Sequence, residues 1–276
     1  MREKMFRQEK SKSKQPTASG ASSGPDLSRV LEAIVNNNIA DLEDLDRQGF
    51  DFSTHSASDG ATLLILAARY GCIPALAFLA KRAQLESVDN SGINAISSAI
   101  RIASVDSLRI LLAAGANPSA TALDNAPPLL LAIEMGSAKM VDMLIDAGAN
   151  PLDVNRYGQT CLMLAASGGE GSDAALIFDK MLSLSNIAAV DVNGDSALMF
   201  AIGHAAAKRI PQLVMAGLSP SQSNISGETP LDRAREIGSR RIEELLEACA
   251  LAHAEQCEIE ALTNPAGPPK SRPSRI

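Results

Sequence analysis

The C-terminal part of the chain carries residues that could bind a metal ion. Cys249, His253 and Cys257 follow one another at intervals of four, so on a continuous helix they share one face. Thiolates and an imidazole are ligands that zinc prefers. Structural zinc sites, however, usually pair ligands from separate segments, and no fourth ligand is evident. We therefore expect no metal here and interpret the three residues as two buried thiols beside a surface imidazole.

The sequence contains no recognisable catalytic motif. The patterns of a serine hydrolase, a P-loop and a zinc peptidase are all missing. The glycine-rich segment 168–171 lacks a preceding strand and the Lys-Ser/Thr of a phosphate loop, and its Glu170 would repel phosphate. We interpret it as a flexible connector between helices. His55 and His204 have no nearby partner that the sequence identifies. We expect a protein that is not an enzyme and that needs no cofactor.

The composition is typical of a soluble protein made of thin layers of helices. Hydrophobic residues make up 46% of the 276 residues, yet aromatic residues make up 3% and Trp is absent, so the core should consist of Ala, Leu and Ile. No apolar run is long enough for a membrane span, and the charged N-terminus does not resemble a secretory signal. Four scattered cysteines favour reduced thiols. We expect a cytoplasmic location, with a secreted effector as an alternative.

Charge divides the chain into a body and two tails. Residues 1–25 have a net charge of +4, residues 263–276 have a net charge of +3, and residues 26–262 have a net charge of −14. An acidic body repels phosphate, so nucleic acid is an improbable partner for it. Both tails are poor in apolar residues and are expected to be disordered. Association of these basic tails with nucleic acid or another anionic partner is the alternative function.

A period of about 33 residues runs through the body of the chain. The anchor positions are Gly60, Gly92, Asn125, Gly158, Gly194 and Gly227, spaced by 32, 33, 33, 36 and 33 residues. Seven positions after each anchor the residue is always alanine, namely Ala67, Ala99, Ala132, Ala165, Ala201 and Ala234. A weaker unit starts near Asp26. The regular spacing predicts a stack of similar supersecondary units.

Each column of the repeat has a physical interpretation. The anchor Gly permits a positive φ in a tight turn. A Thr, Ser or Asn two positions later can cap the first helix of the unit, and the invariant Ala suits a helix that packs closely on its neighbour. Gly or Ala eleven positions after the anchor ends that helix, and a second helix with leucines at helical spacing follows. The three extra residues of the unit at Gly158 are expected within 168–173, between its two helices.

Four segments resemble the ankyrin repeat. They are Asp-Asn-Ser-Gly-Ile-Asn-Ala-Ile (89–96), Leu-Ile-Asp-Ala-Gly-Ala-Asn-Pro (144–151), Asn-Arg-Tyr-Gly-Gln-Thr-Cys-Leu-Met-Leu-Ala-Ala (155–166) and Gly-Glu-Thr-Pro-Leu-Asp (227–232). The resemblance implies an all-α solenoid of helix-turn-helix units joined by β-hairpin-like turns. About seven units are expected in 26–262, starting near 26, 60, 92, 125, 158, 194 and 227, and the last is a C-terminal cap. Two departures from the family are Asn125 in place of the anchor Gly and the loss of the His that commonly follows Thr-Pro-Leu.

In ankyrin proteins the turns and the exposed side of the first helices line a concave binding face, so the resemblance implies a non-enzymatic adaptor, inhibitor or effector that binds another protein there. The two tyrosines of the chain both fall in these positions, and Tyr and Arg are frequent binding hot spots. The alternative is that each Tyr only packs over the neighbouring turn. The predicted contact residues are Arg69, Tyr70, Asn90, Arg101, Arg156, Tyr157, Asn193 and His204. We expect a monomer and no membrane partner.

Overall fold

The computed structural model describes residues 27–121 and 126–263, and for residues 253–263 it describes the backbone alone. The chain divides into two compact units, Met1–Ser185 and Asn186–Ile276. The helices described in the first unit are α1 (Leu27–Val35), α2 (Ile39–Arg47), α3 (Leu63–Tyr70), α4 (Ile73–Leu79), α5 (Ala95–Arg101), α6 (Val105–Ala113), α7 (Pro128–Glu134), α8 (Ala138–Asp146), α9 (Cys161–Ser167) and α10 (Ser172–Leu184). Those of the second unit are α11 (Ala197–Gly203), a short 3₁₀ turn (Ala207–Arg209), α12 (Ile210–Met215), α13 (Pro230–Glu236) and α14 (Arg240–Thr263).

First and second helices alternate along the chain, as the repeat predicts. In the first unit α3 packs on α5, α5 on α7 and α7 on α9, while the second helices form a parallel layer of their own. In the second unit α11 packs on α13 and α12 on α14. The alanine column lies at the helix contacts, and its six members are all at most 2% exposed. A larger side chain there would force the stacked helices apart. The all-α arrangement of stacked helix-turn-helix units is confirmed.

Three of the turns that join successive repeats contain a single antiparallel bridge. Ser56 pairs with Thr62, Val154 with Thr160 and Val190 with Ser196. The Thr62 and Thr160 side chains also accept the N–H three residues on, so they cap α3 and α9 as expected. Ser196, at the equivalent position, forms no side-chain cap. The anchor Asn125 and the tail segments 1–26 and 264–276 lie outside the described residues.

One expectation about the long repeat is corrected. The connector between α9 and α10 covers only 168–171, and most of the additional length lies in α10, which has 13 residues. The second helices of the other repeats in the first unit have seven to nine residues. Ile177, Phe178 and Met181 are buried along α10. Because its apolar side chains recur at helical spacing, the additional residues continue the helix instead of forming a loop.

The last helix, α14, has 24 residues and belongs to the last repeat, where the sequence predicts a C-terminal cap. Among the described residues, no helix combines the length and the apolar character needed to cross a membrane.

Candidate partner-binding face

Asp or Asn residues fix the backbone of the turns from which a binding surface would be built. Three positions before the anchor glycine, the side-chain Oδ1 of Asp89 accepts hydrogen bonds from the N–H groups of Ser91 and Ile93, both at 2.9 Å. The same double acceptance occurs at Asn155, Asp191 and Asn224. These side chains therefore hold the turns in shape. The repeated Asp or Asn at this position was the sequence signal for that role.

Arg69, one of the predicted contact residues, forms ion pairs with two carboxylates of the fold. Its guanidinium donates to Asp59 and to Asp89, each at 2.7 Å, so it joins carboxylates from two successive turns. The Asp89 side chain is 4% exposed and that of Asp59 is 44% exposed. Burial opposes the ionisation of Asp59, but hydrogen bonds from Arg69 and from the Ala61 N–H outweigh it and lower the pKa of Asp59. Arg69 thus stabilises the stack of turns.

Asn90 takes part in the same contact between turns. Its backbone N–H donates to the Asp59 carbonyl at 2.9 Å, while its side chain remains exposed. Gly60 has φ +78°, and a Cβ placed there would lie 2.3 Å from the Asn90 Oδ1. The positive φ favours glycine here, and the Asn90 side chain would have to move to make room for a Cβ.

Tyr70 and Arg101 lie at the ends of successive first helices. Tyr70 is the last residue of α3 and is half-buried, and Arg101 is the last residue of α5 and is exposed. Ile102 follows α5, and Met135 follows α7. Both side chains are exposed as well. The register of the repeat places both residues at the exposed ends of first helices, as it does Tyr70 and Arg101.

Arg156 and Tyr157 form the tip of the turn before Gly158. The Arg156 guanidinium lies 4.7 Å from the centre of the Tyr157 ring and donates a hydrogen bond to the Tyr157 hydroxyl. Arg156 is exposed and Tyr157 is 46% exposed. The Asn155 side chain fixes the Tyr157 backbone by accepting its N–H at 3.0 Å. The structure therefore presents an aromatic ring and a cation together on an anchored turn.

The remaining two predicted residues lie in the second unit. Asn193 is exposed, and its carbonyl accepts the N–H of Ile225 at 3.0 Å, which links two successive turns as Asp59 and Asn90 do in the first unit. His204 is exposed and follows α11, where its ring Nδ1 lies 3.1 Å from the Phe200 carbonyl.

The second unit also contains an ion-pair cluster that sequence reasoning missed. Arg233 donates to Asp195 at 2.7 Å and to Glu228, and the Asn224 amide donates to both carboxylates. Hydrogen bonding to Glu228 and Asp195 raises the pKa of Arg233 despite its partial burial. The spacing of 38 residues between Asp195 and Arg233 conceals the pair in the sequence.

The residues considered for metal and nucleophile chemistry provide no site in the described part of the chain. Among the described residues, no group of three or more His, Cys, Asp or Glu side chains could hold a metal ion. Cys249 is partly exposed, and the side chains of His253 and Cys257 lie outside the description. Burial raises the pKa of Cys161 to about 12, so its thiol is not ionised at neutral pH. The segment 168–171 connects α9 to α10.

Comparisons with known proteins agree with this architecture. The family model described as ankyrin repeat matches residues 124–156. An ankyrin repeat domain from Acinetobacter baumannii is 28% identical, with a TM-score of 0.58, and the match covers 67% of this chain and 96% of that one. The human ASB11 ankyrin repeat domain is 20% identical, with a TM-score of 0.66 and coverages of 80% and 96%, and shows a similar fold. No curated protein sequence gives a significant match.

Ankyrin repeats generally mediate interactions between proteins and are typically non-enzymatic. The stacked units, the buried alanine column, the matched repeat and the similar folds lead to one conclusion. The chain contains an ankyrin repeat at residues 124–156, and its stacked helices have the fold of ankyrin-repeat domains.

Proposed function

We propose that the protein is a non-enzymatic module that binds a partner protein through a face of its first unit, with Arg156 and Tyr157 as the principal contacts. The observation that carries the proposal is the exposed Tyr157 ring beside the Arg156 guanidinium on a turn fixed by Asn155. A preorganised aromatic residue loses little conformational entropy on binding, and Tyr and Arg are enriched among hot spots.

The other predicted residues have different parts in the proposal. Tyr70, Asn90 and Arg101 contribute to the face in the first unit, and Asn193 and His204 contribute to the corresponding face of the second unit. Arg69 positions the turns through its two carboxylate partners and does not need to touch the partner protein.

The test replaces the turn pair and compares what the protein captures. The double variant Arg156→Ala/Tyr157→Ala should lose a protein that the wild type retains from an extract of the native host, as measured by mass spectrometry of immobilised bait. The midpoint of thermal unfolding should stay within a few degrees, because substitutions at exposed positions change stability by about 0.5 kcal/mol or less.

A matched control carries Arg109→Ala and Leu184→Ala, an exposed arginine and an exposed aliphatic residue on the second helices α6 and α10. This control should retain the captured protein. Equal retention by the wild type and both variants would show that the turn pair is not the contact.

A further inference from the structure

A tyrosine and two aliphatic side chains form a row across successive first helices of the first unit. Tyr70 ends α3, Ile102 follows α5 and Met135 follows α7, each ten positions after the anchor of its repeat. The three helices pack side by side in that order. Ile102 is 41% exposed and Met135 is 48% exposed, and Tyr70 is half-buried. We call these residues the 70–102–135 row.

The row has a defined end. In the next repeat the equivalent position is Gly168, which has no side chain. The row therefore offers apolar surface over three repeats and then stops.

Charged residues lie next to each member of the row, two cations followed by one anion. Each row residue follows a charged residue, namely Arg69, Arg101 and Glu134. Arg69 is engaged by Asp59 and Asp89. Within the described residues, Arg101 and Glu134 form no hydrogen bond or ion pair. Partial burial raises the pKa of Glu134. A cation beside Ile102 and an anion beside Met135 are thus available to a partner.

The distance between neighbouring row residues indicates which backbone conformation a bound segment of the partner would have. Packed helices lie about 8–10 Å apart, so neighbouring row residues are separated by about 10 Å. Seven residues of an α-helix rise about 10.5 Å and return to the same face. Three residues of a β-strand cover the same distance but end on the opposite face. Polyproline segments have a similar repeat, but they dock on aromatic-lined grooves, and Tyr70 is the one aromatic residue of the row.

We propose that the 70–102–135 row binds an amphipathic α-helix of the partner protein, with apolar residues seven positions apart, an acidic residue facing Arg101 and a basic residue facing Glu134. This inference rests on the proposed function and adds the conformation and charge order of the bound segment. Burial of the heptad-spaced side chains on the row supplies the attraction. The two charges set the register and direction of the helix, because the reversed arrangement places like charges together.

The experiment uses a displayed library of helix-forming peptides of about three heptads, randomised at apolar and charged positions. The full-length protein should enrich peptides with apolar residues seven apart, an acidic residue near the central one and a basic residue near one end. Ile102→Ser and Met135→Ser should each weaken binding of the enriched peptides about tenfold. Leu176→Ser, at an exposed apolar position on α10, is the control and should bind them normally.

The charge order has its own test. The double variant Arg101→Glu/Glu134→Lys should select peptides with the acidic and basic residues exchanged and should bind the wild-type set at least about tenfold more weakly. Circular dichroism should show unchanged helix content for every variant.

Several results would overturn the inference. They are the absence of any enriched peptide, a spacing of two or three residues in the enriched set, and binding that is insensitive to Ile102→Ser and to the charge exchange. If peptides bind but are lost only from Arg156→Ala/Tyr157→Ala, the proposed face stands and the 70–102–135 row is not the helix site. If the native-host protein is also retained by that turn variant, the proposed function fails independently.

Discussion

Arg69 and Arg156 are both arginines of the repeat face, yet the surrounding residues give them different roles. Arg69 lies between Asp59 and Asp89, and its side chain is 27% exposed. Arg156 is exposed at a turn tip, over the ring of Tyr157. In the first case the charge is used to hold two turns together, and in the second it is presented to solvent beside an aromatic ring. The residue type alone therefore does not identify a contact residue.

The comparison predicts unequal losses of stability. Arg69→Ala leaves Asp89 buried without its cation, and breaking a fully buried pair costs about 3–5 kcal/mol. Because the side chain of the second partner, Asp59, is partly exposed, the loss should be smaller. We expect Arg69→Ala to lower the free energy of unfolding by about 2 kcal/mol. Arg156→Ala should change it by about 0.5 kcal/mol or less. Urea unfolding of both variants measures the difference.

A conservative variant separates charge from geometry. Arg69→Lys keeps the cation, but an ammonium group lacks the planar fork that reaches two carboxylates at once. It should therefore recover only part of the loss caused by Arg69→Ala. If Arg69→Ala and Arg156→Ala unfold at the same urea concentration, the two arginines do not differ in the way described.

Acid should reduce the stability gap between the wild type and Arg69→Ala. The pKa of Asp59 is below its ordinary value, since the hydrogen bond from Arg69 is among the contacts that outweigh burial. A carboxylate with a lowered pKa stabilises the fold above its ordinary pKa of about 3.9, and this contribution is lost as the pH falls through the folded-state pKa. The gap should therefore narrow from about pH 5 to about pH 2 in urea unfolding series.

Other carboxylates with lowered pKa values, such as Glu228, titrate in both proteins and cancel in this comparison. A gap for Arg69→Ala that is independent of pH would mean that Asp59 gains no stabilisation from Arg69.

The repeat itself could be predicted from the sequence because each column corresponds to a backbone position with a fixed requirement. The alanine column is the clearest example, since its small size is needed wherever first helices meet. Side-chain partners could not be predicted in the same way. Arg69 reaches residues 10 and 20 positions away, and only the stacking of turns decides that Asp59 and Asp89 converge on it.

The length of α10 is a second example. The spacing of the anchors shows that this repeat has three additional residues. It does not indicate whether they belong to the loop or to the helix. The Asp or Asn three positions before the anchor glycines recurs in the sequence, but the hydrogen bonds from two backbone N–H groups that define its role became visible only in the structure.

The smallest predicted effect concerns α5, which packs against the helix that carries Arg69. Ser98 is 3% exposed, and its hydroxyl has no hydrogen-bond partner among the residues that the structure describes. The equivalent positions of the neighbouring repeats are Leu66, Leu131 and Leu164. Ser98 therefore places a polar group where these repeats have apolar side chains. Because an unsatisfied buried hydroxyl is destabilising, Ser98→Ala should raise the free energy of unfolding by about 0.5 kcal/mol.

Ser107 on α6 is the matched control for this change. It is also fully buried, but its hydroxyl accepts a hydrogen bond from the Ser104 hydroxyl at 2.8 Å. Ser107→Ala removes a satisfied interaction and should lower the free energy of unfolding by about 1 kcal/mol. Opposite signs in urea unfolding would show that hydrogen-bond satisfaction, and not burial of a serine, decides its contribution. A loss of stability in both variants would mean that the Ser98 hydroxyl has a partner in solution, such as a buried water.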